Sequence, residues 1–179
     1  GAAIMANVEH KVSLISGIHD LLPNRTGGAA MQKNLESLGD IQYTQEEIDF
    51  ALEMQRNNGK PEIGIDGKIR SLRETLKSPG GGSTDVGDVS YNVPVVSLNA
   101  TTAPKGVPWH SWSVVASSGM SIGHKGMLYA AKALGMTMVD IFKDSRLRDD
   151  IKREFDERIG EYEYDPFLDP GPPPLDYVD

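Results

Sequence analysis

The chain has 179 residues, 39% of them hydrophobic, with a formal net charge of -8 and no cysteine. Its length fits one domain or part of a larger one. Disulfides and thiolate nucleophiles are excluded, no Lys/Arg cluster offers a face to nucleic acid, and no apolar run approaches the ~20 residues of a membrane span. No charged-then-apolar leader is visible, and the lack of cysteine is compatible with the cytoplasm, the expected location. Any metal must be held by His, Asp or Glu. With four histidines, that favours zinc, manganese or cobalt.

Residues 4–18 alternate, with Val8, His10, Val12 and Leu14 on one side and Glu9, Lys11 and Ser13 on the other. This pattern predicts a half-buried strand with His10 packed on its apolar face. Pro23 then forces Leu22 to be extended. Met31, Leu35 and Leu38 at i, i+4, i+7 predict a helix that Gly39 ends. Thr44 and Glu47 form a capping box at the head of a second helix, whose face is Ile48, Ala51, Leu52 and Gln55 and whose end is Gly59. A shorter helix is expected through Ile69, Leu72 and Leu76, stopped by Ser78, Pro79 and Gly80.

The run Val93–Leu98 is apolar on both sides and reads as a central strand covered twice, with Pro94 at its start. Residues 111–116 are a further short strand candidate. From Ser121 the helical signal is the strongest in the chain, with Met127, Ala131, Leu134, Met138 and Ile141 as the core face, the methionines as filler and Ser121 as the cap. A last helix carries Leu147, Ile151, Phe155 and Ile159. The tail from Glu161 holds six carboxylates and no Lys or Arg, which predicts an extended or partly disordered surface segment.

The chemistry concentrates between Gly80 and Met127, and the residues before Gly80 and after Asp144 read as scaffold. Apolar runs between glycine turns suggest strand ends, where open α/β sheets build their sites. The loop from Gly80 to Asp88 can bring backbone amides close to an anion. Asp88 stands where a phosphate-binding P-loop needs lysine, so it is not one; a plain surface turn is the other reading. Gly119-Met120-Ser121-Ile122-Gly123 matches a nucleophile elbow, but that motif needs a histidine later in the chain. His124 is the last one and lies on the next turn. Ser121 is therefore read as a helix cap. His110, between Trp109 and Trp112, is either packed or a single metal ligand, and one histidine cannot hold an ion alone.

Four stretches carry a resemblance: Gly1–Met5 with Asp20–Asn24, Gly82–Ser90, Pro108–Trp112, and His124–Lys132. Their order and spacing resemble the C-terminal part of aminobenzoyl-glutamate hydrolases of the B type, in the aminoacylase and glutamate-carboxypeptidase superfamily of zinc amidohydrolases. The resemblance implies an α/β fold, namely the C-terminal half of a catalytic domain with a mixed sheet flanked by helices. Residues 1–18 would end an α+β lid that serves dimerisation, 19–160 would belong to the catalytic domain, and 161–179 would be the tail. In that family two metal ions, zinc or manganese, activate water against an amide, with a glutamate as general base.

By the same resemblance, His110 is a metal ligand and Gly81, Gly82, Ser83, Thr84 and Asp85 face the substrate. His124 is a second-choice ligand or a group behind the ligands. The substrate is a small N-acyl amino acid or dipeptide-like molecule, and a homodimer is usual. The family's earlier His-x-Asp segment and Glu-Glu pair are not in these residues, and His19-Asp20 is not that motif because it follows the lid strand. A C-terminal portion without catalytic residues of its own, inactive alone, is therefore expected. The alternative is a non-catalytic domain that keeps the fold for binding or assembly.

Overall fold

The computed structural model describes residues 1–72, 82, 84–168 and 171–172. Its elements are helices: α1 (Ala2–Ala6), α2 (Arg25–Leu38), α3 (Gln45–Asn57), α4 (Val86–Ser90), α5 (Trp112–Ser118), α6 (Ser121–Lys143) and α7 (Ser145–Ile159). Helices α2, α6 and α7 pack on one another, and α5 packs on α6. The core beneath them is small: Met31, Ala51, Met54, Val107, Ile122, Ala133 and Ile151.

No strand occurs among the described residues, so the expected α/β sheet is overturned. A strand is held by ladder bonds to a neighbour, and these residues supply none. Residues 8–18 run without regular structure, Val12 is 83% exposed, and His10 is exposed rather than packed. Residues 4–6, where the predicted strand was to begin, instead belong to α1, closed by Asn7 in the left-handed conformation. Val93–Leu98 is likewise unpaired, and Val93 is exposed rather than covered twice. Val96 nonetheless packs on α2, its Cγ2 filling the space that a Cβ at Gly27 would need. Residues 112–116 belong to α5, not to a strand.

The helix ends follow from side-chain chemistry. The Asn24 side chain accepts from the Gly27 amide (2.8 Å) and donates to the Ile151 carbonyl (2.9 Å), so one residue caps α2 and ties it to α7. The Glu154 carboxylate of α7 accepts from the amides of Arg25 (2.8 Å) and Thr26 (2.6 Å), two of the first-turn donors that a helix leaves without internal partners. Burial pushes the Glu154 carboxyl up, but hydrogen bonds from Thr26, Arg25 and Arg158 outweigh it and leave the group at about 2. The capping box of α3 forms as expected, and Gly39 closes α2 at φ 75°.

Helix α6 exists, but its inward face is not the expected one. Ile122, Gly123, Gly126, Ala133 and Thr137 are buried, while Met127 (59% exposed), Leu134 and Met138 face outward. Its contact with α2 is partly polar: the Asn34 amide donates to Thr137 Oγ1 (3.0 Å) and to Asp140 (2.8 Å). Small residues let the helices approach there, and the larger apolar side chains are left for other surfaces. On α7, Ile151 is buried and Leu147, Phe155 and Ile159 are half-buried, as the spacing requires. Residues 69–72 form no helix; Leu76 and the stop at Ser78–Gly80 lie outside the described residues.

Candidate functional site

The residues that the sequence singles out fall in two places, the turn around α4 and the loop before α5. Gly81 and Ser83 lie outside the described residues; Gly82, Thr84 and Asp85 are exposed. Thr84 starts the turn: its carbonyl accepts from the Gly87 amide (3.1 Å), and its hydroxyl accepts from the Val86 amide (3.3 Å). Asp85 occupies the N-cap position of α4 without a capping hydrogen bond from its side chain.

The other end of α4 is anchored to residues 19–22. The Ser90 hydroxyl donates to the Gly87 carbonyl (2.6 Å) and accepts from the Leu22 amide (2.8 Å). A Cβ at Gly87 would overlap the His19 carbonyl oxygen, so only glycine permits this approach. His19 Nδ1 lies 2.8 Å from Asp88 Oδ1, and the His19 amide lies 3.4 Å from the same oxygen. On the far side of the ring, Nε2 lies 2.8 Å from the Tyr162 hydroxyl. With a proton on Nδ1, the ring donates to Asp88 and accepts from Tyr162, which satisfies both nitrogens of a neutral imidazole.

Aromatic rings enclose this pair. Phe167 stacks on His19 with centroids 4.4 Å apart, and Tyr91 and Tyr164 each stand at 5.2 Å. The Tyr164 hydroxyl also donates to Asp88 (3.2 Å), and the Tyr91 hydroxyl donates to Asp20 (2.8 Å). Hydrogen bonding from the His19 ring is the first cause that holds the Asp88 carboxyl below its ordinary range. Burial, then the hydrogen bond to Asp88, raises Tyr164; the hydrogen bond to Asp20, then burial, raises Tyr91. Since Nε2 is engaged by Tyr162, the arrangement suits holding rather than proton abstraction.

His110 sits on the loop ahead of α5, exposed and at φ 59°. A non-glycine residue in the left-handed region is uncommon, though histidine adopts it more readily than most, and such conformations cluster at functional sites. Trp109 and Trp112 beside it are exposed as well, so His110 is not packed between them in an apolar interior. His124 is exposed on the first turns of α6. Among the described residues, no group of three or more His, Asp or Glu side chains could hold a metal ion. His110 can offer one ligand, and the described residues do not fit a complete metal site.

The nucleophile-elbow match dissolves in the structure. Residues 119–123 join one helix to another, with Gly119 closing α5 and Met120, not Ser121, at the N-cap of α6. The Ser121 hydroxyl instead turns to the Glu47 carboxylate of α3. The same carboxylate takes the Lys125 ammonium (2.6 Å) and the Thr44 amide (2.7 Å). Burial pushes the Glu47 carboxyl up; hydrogen bonds from Lys125, Ser121 and Thr44 and the Lys125 charge together bring it to about 2. Ser121 and Lys125 thus have a structural partner.

His19 and Asp88 are the pair that sequence reasoning missed. They are 69 positions apart, and neither lies in a spacing that marks a site. The nearest signal was the run of glycine, hydroxyl and acidic residues that contains Asp88.

The chain is 34% identical over 178 residues to the B-type subunit of p-aminobenzoyl-glutamate hydrolase from Escherichia coli (strain K12). The alignment takes in 86% of this chain and 37% of that protein, so the chain spans little more than a third of the length of the curated relative it matches. No family model matches the chain. No solved structure matches it either.

Proposed function

We propose that this chain is the C-terminal part of a hydrolase that cleaves the amide bond of an N-acyl amino acid resembling p-aminobenzoyl-glutamate. The similarity to the p-aminobenzoyl-glutamate hydrolase of Escherichia coli carries this reading, because it runs through most of the chain at substantial identity. The exposed, strained His110 supports it, since a ligand or substrate contact has to leave the core. In this reading His110 supplies one ligand to zinc or manganese, and the remaining ligands come from residues beyond these 179. Thr84 and Asp85, on the exposed turn before α4, face the substrate. Hydrolysis then requires the longer protein, and the isolated chain is inactive. The relative's name calls it a subunit, so assembly with a further chain, a second copy included, belongs to the proposal.

The test is release of p-aminobenzoate from p-aminobenzoyl-glutamate by the longer protein containing this sequence, supplied with zinc or manganese. We expect turnover that His110→Ala lowers by more than the roughly 10- to 100-fold that losing a group behind the metal ligands costs. An inactive longer protein under all divalent metals, or an unaffected His110→Ala variant, overturns the reading.

A further inference from the structure

The acidic tail is expected from its composition to lie loose on the surface, yet three of its aromatic residues converge on one histidine. Tyr162 reaches His19 Nε2 at 2.8 Å, Phe167 stacks on the ring at 4.4 Å, and Tyr164 reaches Asp88 Oδ1 at 3.2 Å. On its other side His19 grips Asp88 through both its ring and its backbone amide. Asp88 lies in the single turn of α4, where Gly87 packs closely on the His19 carbonyl and the Ser90 hydroxyl accepts from the Leu22 amide. The route from tail to turn is therefore a continuous set of direct contacts, each made by a named atom. The histidine side chain is 9% exposed, so the tail residues shield it and its bond to Asp88 from competing water.

We propose that residues Tyr162, Tyr164 and Phe167 form a strap that acts through His19 and Asp88 to hold the Thr84–Ser90 turn in its substrate-facing conformation. His19 is then a positioning residue: it touches no substrate, and its two ring nitrogens join the strap to the turn. The substrate-facing part of this proposal rests on the function proposed above. A five-residue helix has little intrinsic stability, so tertiary anchors decide whether the turn persists. Binding that must first order a loop is weakened by the ordering cost. Loss of the strap therefore raises KM more than it lowers kcat.

The experiment uses the longer protein and combines amide hydrogen exchange at Val86–Ser90 with steady-state kinetics on p-aminobenzoyl-glutamate. Tyr162 and Phe167 are both substantially exposed, so the double variant Tyr162→Phe/Phe167→Ala leaves the core intact. We expect it to speed exchange in that turn about tenfold or more and to raise KM about 5- to 20-fold, with kcat within about twofold. His19→Ala should do the same. His19→Asn, which keeps an N–H donor near the Nδ1 position, should recover part of the protection and part of the KM. Unchanged exchange in the double variant overturns the strap, whatever the activity. Faster exchange with unchanged KM in an active protein overturns its role in substrate positioning. An inactive parent protein overturns the proposed function instead, and the exchange data still decide whether the strap holds the turn.

Discussion

Glu47 shows how much one side chain can be asked to do. It closes the capping box of α3 and takes the ammonium of Lys125 from α6. Its carboxyl sits at about 2 against an ordinary 4.5, so its stabilising contribution is complete above about pH 4.5 and is lost as the pH falls toward 2. Glu154, also at about 2, acts in the same direction and the same window. We expect Glu47→Gln to cost roughly 1–3 kcal/mol at neutral pH, the scale of hydrogen bonds to a charged group. Urea unfolding midpoints of the two proteins should converge between pH 5 and pH 2; a constant gap would contradict the assignment. Gly87 poses a steric case. Gly87→Ala places a methyl group on the His19 carbonyl oxygen, and we expect a loss of roughly 1–3 kcal/mol from overpacking, read as a lower thermal midpoint.

At the scale of elements, caps were more legible than faces. The Thr44–Glu47 box and the Gly39 stop depend on residues a few positions apart, and both formed as read. The cap of α2 escaped the pattern because half of its work is a contact with α7, 127 positions away. Asn24→Ala removes both the cap and that buried bond. A loss of about 1–2 kcal/mol follows, which for a chain of this size lowers the thermal midpoint by about 2–8 °C; an unchanged midpoint in calorimetry would refute it. Helix α6 illustrates the opposite limit. Its helical period was correct, but its small residues turn inward while Met127, Leu134 and Met138 turn out. Periodicity marks which residues share a face, and only packing selects the face that is covered.

Among the described residues the buried core is small and much apolar surface is exposed. Val8, Val12 and Leu14 in the unpaired N-terminal segment and Met127, Leu134, Met138 and Phe142 on α6 all face outward. Surfaces of this kind mark places where further protein packs. We expect the isolated 179-residue chain to bind a hydrophobic dye and to associate with rising concentration in sedimentation velocity. The longer protein should bind the dye weakly, and equal dye binding by both would argue against a missing covering layer. No helix among the described residues is long and apolar enough to cross a membrane.

The sequence by itself determined the local and the comparative facts: where α2, α3, α6 and α7 form, the capping box that starts α3, and the hydrolase resemblance that the identity to a known protein then bore out. These follow from residues near one another in the chain or from motifs read in order. Tertiary structure decided that the alternating and apolar segments stay unpaired, because a strand exists only beside another strand. It also decided that His19, Asp88 and the tail tyrosines meet, because contacts between positions 69 and 143 apart have no signature in local spacing.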